Sequence, residues 1–359
     1  MTEPEYGARP DATAFSAARG VDAQRSRVAA IWLVAVAALV LAMVVVGGAT
    51  RVTGSGLSIT QWKPVSGVIP PLGHAAWEQV FRLYQATPQY QVLNRGMTLA
   101  QFQIIYWWEW AHRLLGRLLG LAFFAPFLIL LALRRVPRWL VWRCVLLFAL
   151  GSLQGLVGWW MVKSGLEGRT SVAPERLAAH LALALLLFVA LVWTALEAWS
   201  GRSEDGGRRR SGWIWASESF LGAVFLQCLL GALVAGNHAG LIDADWPLMA
   251  GRAIPADYWS GSLWASLAHS PPATQFNHRV LAYGLLAAGL AMCAAAFRQR
   301  ALPLRYPTLG LASLMIVQVT LGVATLILTV PLALAMAHQF TAVAVLGGAT
   351  ILAWRARRV

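Results

Sequence analysis

Long apolar runs separated by short polar segments dominate this chain. Eight of the runs reach about 20 residues, the length that an α-helix needs to cross a bilayer. An even number of spans places both termini on the same side of the membrane. The predicted fold class is therefore an all-α integral membrane protein with eight transmembrane helices. The predicted spans are 29–49, 108–133, 139–162, 177–199, 213–235, 274–297, 307–329 and 333–354.

Arginines mark one side of that membrane. They cluster in alternate polar segments, and the positive-inside rule places such segments in the cytoplasm. The net charge of +14 is therefore explained by topology, and no nucleic-acid partner is expected. The expected location is the inner (cell) membrane, with both termini cytoplasmic. The arginines are Arg9, Arg19, Arg25, Arg27, Arg134, Arg135, Arg138, Arg143, Arg202, Arg208, Arg209, Arg210, Arg298, Arg300, Arg305, Arg355, Arg357 and Arg358.

The composition supports this class and excludes a soluble globular domain. Hydrophobic residues make up 58% of the chain and charged residues 12%, and the mean hydropathy is +0.60. Residues 1–28 lack the order of a signal peptide and are expected to form a disordered cytoplasmic tail. The three cysteines fall inside predicted spans, so they offer neither a disulfide framework nor a CxxC zinc site.

A long polar segment, residues 50–103, follows the first span on the outer side. Four of its residues recur at helical spacing and predict a short amphipathic helix, lying either on the bilayer surface or against the rest of the loop. Thr98 and Gln101 have the spacing of a capping box. They predict the start of a helix that runs to Leu133 and projects from the membrane. The four spaced residues are Trp77, Val80, Phe81 and Tyr84.

The two halves of the chain repeat one pattern of residues in the same order. This predicts a tandem duplication of a four-helix unit, giving two bundles related by a pseudo-two-fold axis along the membrane normal. The predicted boundaries are 1–28 for the tail, 29–200 for the first bundle, 201–212 for a cytoplasmic linker and 213–359 for the second bundle. The matched residues are Gly56 with Gly240, Leu57 with Leu241, Trp62 with Trp246, Gly67 with Gly251, Pro71 with Pro255, Gln154 with Gln318, and Gly158 with Gly322.

Four histidines occupy matching positions in the repeat, each towards the outer end of an even-numbered span. A single membrane histidine is typical of an interhelical hydrogen bond. Two in each bundle at one depth indicate axial ligands, and a bis-histidine haem in each half fits best. The pairs are His112 with His180 and His278 with His338. The outer-loop histidines, expected to be solvated or locally hydrogen-bonded, are His74, His238 and His269.

An asymmetry between the halves indicates different tasks. Glu109 lies three residues before His112, on the same helix face, whereas the matching residue of the second half is the neutral Gln275. Ionisable groups inside a span are functional candidates. We expect Glu109 to serve general acid/base or electrostatic chemistry. The alternative is an interfacial ion pair with Arg113 or Arg117.

Arg113 and Arg279 directly follow the first histidine of each pair. One expectation is that they form charge-assisted hydrogen bonds to haem propionates. A residue at i+1 is turned by about 100° around the helix from its neighbour. The alternative is therefore that both side chains extend along the helix end towards water.

The sequence around these residues resembles that of haem A synthases, especially the long-loop branch that includes the mitochondrial enzyme. The resemblance covers residues 30–355 and rests on motifs that are specific only in combination. It implies an eight-span enzyme that oxidises the C8 methyl group of haem O to a formyl group, giving haem A for cytochrome oxidase. The motifs are R-V-T-G-S-G-L-S-I-T-Q-W (51–62), E-W-A-H-R-L-L-G-R (109–117), G-W-W-M-V-K-S-G-L (158–166), R-L-A-A-H-L (176–181), F-N-H-R (276–279) and the segment around His338.

The resemblance also implies roles for the paired histidines. His112 and His180 would hold the substrate haem O, and His278 and His338 would ligate the iron of a resident haem b. Glu109, the acid of the ExxH motif, would be catalytic. The implied partners are haem O and haem A, membrane lipid, a haem O synthase and an electron acceptor. A homo-oligomer is compatible with the sequence.

Two other functions stay open at this stage. A non-catalytic dihaem b electron carrier would need four histidines and no acid. A haem exporter or delivery protein would need reversible binding and an outer docking surface, which the long first loop would supply. Glu109 distinguishes the enzyme from the carrier, because only the enzyme depends on the acid.

Overall fold

The computed structural model describes residues 26–201, 211–259 and 261–358. Within these ranges the chain consists of helices and loops. Residues 1–25 of the predicted tail, with Arg9, Arg19 and Arg25, and residues 202–210 of the predicted linker lie outside the described residues. Arg27 and Val28, which the prediction assigns to the tail, form the start of the first helix.

Each of the eight predicted spans is present as a helix that is long and apolar enough to cross a membrane. Their order along the chain matches the prediction, and their bounds differ from it by a few residues at most ends. The helices are α1 Arg27–Val52, α2 Leu99–Ala132, α3 Arg138–Leu166, α4 Pro174–Ser200, α5 Gly212–Gly236, α6 Pro271–Arg298, α7 Leu302–Ile327 and α8 Leu332–Ala356.

The predicted capping box opens α2. The Gln101 backbone N–H donates to Thr98 Oγ1 (3.3 Å), and the Thr98 backbone N–H donates to Gln101 Oε1 (2.9 Å). The 34 residues of α2 extend about 51 Å at 1.5 Å per residue. The hydrocarbon core of a bilayer is about 30 Å thick, so the first turns of α2 project beyond it.

Each half closes into a ring of four helices. In the first half α1 contacts α2, α2 contacts α3, α3 contacts α4, and α4 returns to α1; α5 to α8 make the same contacts. The halves join through α4 with α5, α8 with α1, and α4 with α8. Two bundles related by a two-fold axis would make this set of contacts, and the axis itself stays a prediction.

The largest hydrophobic core lies where the two rings meet. Its fully buried side chains come mainly from α1, α4 and α8, while bulky apolar residues such as Trp142 and Leu156 remain exposed on the outside. An apolar exterior suits contact with lipid tails, which are as apolar as leucine. The fully buried leucines of the core include Leu33, Leu185, Leu191, Leu346 and Leu352.

The amphipathic helix of the first outer loop packs against α2. Tyr84 is completely buried, and its ring lies 5.2 Å from that of Phe102, while Trp77 lies 4.9 Å from Tyr106. The interpretation that this helix packs against other parts of the protein is therefore confirmed, and its contact with the bilayer surface stays a prediction. The physical reason is that the projecting start of α2 offers its own aromatic face. The loop helices are His74–Gln85 and Pro88–Val92.

Hydrogen bonds connect this aromatic cluster to the end of α1. The Tyr84 hydroxyl donates to Gln89 Oε1 (3.0 Å) and accepts from Asn94 Nδ2 (2.6 Å). Gln89 Nε2 in turn donates to the Gly54 carbonyl oxygen (3.0 Å). The outer loop is thus held at both α1 and α2.

Replacing Tyr84 with alanine is expected to loosen the loop and leave the membrane helices in place. Loss of a buried aromatic side chain typically costs about 3–5 kcal/mol of stability, and the two hydrogen bonds are lost with it. Limited trypsin digestion of the detergent-solubilised protein should then cleave faster at Arg82 and Arg95. Val92→Ala, at an exposed position, is the control. Equal cleavage rates in the two variants would contradict the packing described here.

Candidate functional site

Arg113 joins the first histidine helix to the outer loop. Its Nη1 donates to the Gln61 carbonyl oxygen (3.0 Å) and its Nη2 to the Ile59 carbonyl oxygen (2.7 Å). Its Nε donates to Glu109 Oε1 (2.7 Å). One guanidinium group therefore connects the loop backbone to the acid three residues before His112.

Arg279 makes the same connection in the second half. Its Nη1 donates to the Asp245 carbonyl oxygen (2.8 Å) and its Nη2 to the Asp243 carbonyl oxygen (3.1 Å). These two carbonyls match those of Gln61 and Ile59 in the sequence repeat. The duplication therefore retains a contact between the histidine helix and the loop above it.

These contacts bear on the expectation that Arg113 and Arg279 bind haem propionates. In this structure both guanidinium groups are directed to loop carbonyls, because the helix face one residue beyond each histidine lies under the outer loop. Propionate contact stays a prediction. Positioning of the loop is the role that the described contacts support.

Glu109 is almost fully buried, with 4% of its surface exposed. A buried carboxylate needs a charged or hydrogen-bonding partner, and Arg113 supplies both. The ion pair expected as an alternative is therefore present with Arg113. Arg117 instead donates to the carbonyl oxygens of Pro64 and Lys63, each at 2.8 Å.

The second half lacks this ion pair. Gln275 Nε2 donates to the Asp243 carbonyl oxygen (2.9 Å), and its buried Oε1 has no hydrogen-bond partner among the described residues. The buried Nε of Arg279 is likewise without a partner in that part of the chain. The equivalent nitrogen of the first half, Arg113 Nε, donates to the Glu109 carboxylate. The two halves thus keep one scaffold and differ at the acid.

Each paired histidine lies directly on a glycine of the preceding helix. A Cβ atom added at these glycines would approach the imidazole ring to 2.9–3.2 Å, so any larger residue would press against the ring. The nearest ring atom is Nε2 for His112 and Cε1 for the other three. The contacts are Gly47 with His112, Gly158 with His180, Gly231 with His278, and Gly322 with His338.

Glutamine amides accompany three of the four histidines. Gln154 Nε2 lies 3.2 Å from His180 Nδ1, and Gln227 Nε2 lies 3.0 Å from His278 Nδ1. Both amides also donate to the backbone carbonyl of the same histidine, at 3.0 and 2.9 Å. Gln318 Nε2 lies 3.3 Å from His338 Nε2. Sequence reasoning used Gln154 and Gln318 only as repeat markers and overlooked Gln227. The signal available was the four-residue spacing from glutamine to glycine.

The two rings of the second histidine pair lie close enough together to share one metal ion. The His278 and His338 ring centroids are 6.4 Å apart and the rings are inclined by 78°. A metal–imidazole bond is about 2.0 Å long in zinc sites, so two rings at this separation have room for one metal ion between them.

Other atoms around the pairs also fit a haem site. His338 Nδ1 and the side-chain oxygens of Gln154, Gln227 and Gln318 are buried without a hydrogen-bond partner among the described residues. Over the same residues, no three His, Cys, Asp or Glu side chains converge as a metal site. The donor set is thus paired imidazoles, which suits haem iron.

The loop histidines have local partners, as expected. His74 Nδ1 lies 3.5 Å from Glu78 Oε1, and His269 Nε2 lies 3.9 Å from Glu175 Oε2. His238 Nε2 lies 2.7 Å from Arg51 Nη2, and burial together with that guanidinium lowers the pKa of His238 below its ordinary value. None of the three joins a histidine pair in the described contacts.

Comparison with known proteins agrees with the geometry. A family model described as cytochrome oxidase assembly protein (COX15-CtaA) matches residues 30–350. A heme A synthase of Caulobacter sp. (strain K31) is 54% identical over 338 residues, covering 93% of this chain and 97% of the relative. A heme A synthase of Parvibaculum lavamentivorans is 48% identical over 330 residues, covering 91% and 93%. The chain belongs to the COX15-CtaA family of cytochrome oxidase assembly proteins.

Proposed function

We propose that this protein oxidises the C8 methyl group of haem O to a formyl group, producing haem A for cytochrome oxidase. The observation that carries the proposal is the buried acid Glu109 beside His112, at the position where the second half has Gln275. Electron transfer alone does not require an acid at one of two matching sites. Relatives named Heme A synthase, 44% to 54% identical, support the same reaction.

The two histidine pairs hold different haems in this proposal. His112 and His180 hold haem O as substrate, and His278 and His338 ligate the iron of a resident haem b. When bound, haem supplies the redox chemistry at iron. With water as the source of the oxygen atom, oxidation of a methyl group to a formyl group (R–CH3 + H2O → R–CHO + 4 H+ + 4 e−) releases protons and electrons, so the chain needs a proton acceptor at the substrate and an electron acceptor as partner. A haem O synthase must supply the substrate.

Glu109 is positioned to accept a proton. Arg113 donates to Oε1, which fixes the carboxylate and leaves Oε2 to take the proton. Arg113 is itself held by the Ile59 and Gln61 carbonyls, so the outer loop positions the acid through the arginine. Because the carboxylate is buried, its effect on nearby charge is stronger than it would be in water.

The proposal is tested by extracting and chromatographing the haems of the purified protein, expressed with and without a supply of haem O. We expect haem b alone without haem O, and haem b with haem O, haem A or a hydroxylated intermediate when haem O is supplied. Two haem b per chain under both conditions, with no modified haem, would instead identify an electron carrier.

Glu109→Gln is expected to reduce haem A formation and to leave haem loading intact. A general acid or base typically contributes about 10²–10⁴-fold to a rate, so haem A formation should fall on the order of 100-fold or more. Haem chromatography measures the product, and the absorption spectrum measures loading. Glu78→Gln, an exposed carboxylate of the outer loop, is the matched control. Unchanged haem A formation in Glu109→Gln would exclude a catalytic role for the acid.

His278→Ala is expected to remove haem b and to leave haem O binding in place. The reason is that His278 ligates only the haem of the second half. Haem content per chain, measured after haem O loading, reports each haem separately, and His238→Ala is the control because that histidine belongs to no pair. Loss of haem O with retention of haem b would show that the halves are assigned the wrong way round.

We further propose that both termini are cytoplasmic and that the histidine pairs lie towards the outer face. The support is the arginine bias and the position of the histidines near the loop-bearing ends of their helices. Single-cysteine variants at Leu72 and Arg300, both exposed, test this in a background without native cysteines. A membrane-impermeant maleimide should label Leu72→Cys in intact spheroplasts and Arg300→Cys only after lysis. The reverse labelling would invert the topology.

A further inference from the structure

The residue four positions before each histidine-contacting glycine is the same in three of the four helices. It lies one turn before the glycine, on the same helix face. In α3, α5 and α7 it is glutamine, and in α1 it is Met43. The four segments are Met43 with Gly47, Gln154 with Gly158, Gln227 with Gly231, and Gln318 with Gly322.

The three glutamines each hold an amide against a paired histidine. The amide nitrogens of Gln154 and Gln227 donate to the backbone carbonyl oxygens of His180 and His278, at 3.0 and 2.9 Å. The same nitrogens lie within 3.4 Å of both ring nitrogens of these histidines, so each amide rests against the ring. Groups around a ligating histidine fix its orientation and change metal affinity. The glutamines therefore hold both the backbone and the ring of His180 and His278 in place.

Met43 offers His112 no such partner. A thioether carries no N–H to donate to the His112 backbone carbonyl, and the Met43 methyl group packs over α2, 3.2 Å from where a Cβ of Gly116 would lie. The His112 ring also meets its glycine differently, because its Nε2 is the nearest atom where the other three rings present Cε1.

Two departures from the repeat therefore converge on one histidine. Glu109 stands where the second half has Gln275, and Met43 stands where the second half has Gln227. Glu109 lies one turn before His112, and Met43 lies one turn before Gly47, which contacts the His112 ring. His180 keeps its glutamine, Gln154.

The geometry points to Met43 as the residue that makes the substrate haem exchangeable: without an amide partner, His112 is a less firmly oriented ligand than the other three histidines. Met43 is a positioning residue in this inference, since it acts through His112. The inference rests on the proposed function, in which haem O enters and haem A leaves the first pair while haem b stays in the second. Gln227 and Gln318 serve retention of haem b by the same reasoning.

The test measures the rate of haem transfer to apomyoglobin from the full-length protein in detergent, loaded with haem O. Partners of metal-ligating histidines typically change metal affinity about 10–100-fold. We therefore expect Met43→Gln to slow the release of haem O by about 10-fold or more. Met43→Leu, which has no amide, should release haem O at the wild-type rate. If Met43→Gln releases haem O as fast as Met43→Leu does, the inference is overturned.

Gln227→Met gives the reciprocal test in the second half. Haem O binding by this variant shows that it is folded. The substitution should speed haem b release by about 10–100-fold. If Met43→Gln fails to accumulate, Gln227→Met and Gln154→Met test the inference instead. Unchanged release of haem b from Gln227→Met, and of haem O from Gln154→Met, would overturn it.

The two proposals fail in distinguishable ways. A wild-type protein that retains haem b but takes up no haem O would contradict the proposed function. Haem b release from Gln227→Met would still measure the effect of the amide in that case. A wild-type protein that converts haem O, together with Met43 variants that all release haem O at one rate, would contradict only the inference about Met43.

Discussion

Direct contact between an imidazole ring and a glycine of the neighbouring helix is the constraint on which the rest of the site depends. Each paired histidine lies over a glycine of the preceding helix, so closely that a Cβ atom there would press against the ring. Four such contacts hold the even-numbered helices close to the odd-numbered ones. This close approach places two imidazoles across one bundle, as His278 and His338 are placed at 6.4 Å.

The outer loops are attached to this arrangement by arginine. Arg113 and Arg279 each directly follow a paired histidine and donate to carbonyl oxygens of the neighbouring loop. Buried guanidinium groups with several fixed acceptors are rigid connections. The loop therefore positions Glu109 as well as covering it, and the aromatic cluster around Tyr84 holds the loop against the projecting part of α2.

The repeated arrangement of the two halves is the basis for the two tasks that we propose. The order of the helices around each ring, the glycine–histidine contacts and the arginine–carbonyl contacts are the same in both halves. The differences are confined to a few side chains. Those at Glu109 and Met43 both adjoin His112. A site that converts a substrate needs a proton acceptor and a histidine from which the haem can dissociate, whereas a site for a resident cofactor needs neither.

The sequence by itself determined the spans, the start of α2, the histidine pairs and the asymmetry at Glu109. These follow from run length, capping chemistry and internal matching, all of which are local or one-dimensional. Only the tertiary structure decided that the Tyr84 helix packs on α2 and that Arg113 binds Glu109 and loop carbonyls. It also decided that a glutamine or Met43 lies one turn before each glycine that a histidine ring contacts. Such choices depend on which helix faces meet. An apolar span shows little hydrophobic asymmetry around its axis, because lipid and protein interior are both apolar, so its sequence does not reveal which face turns inward.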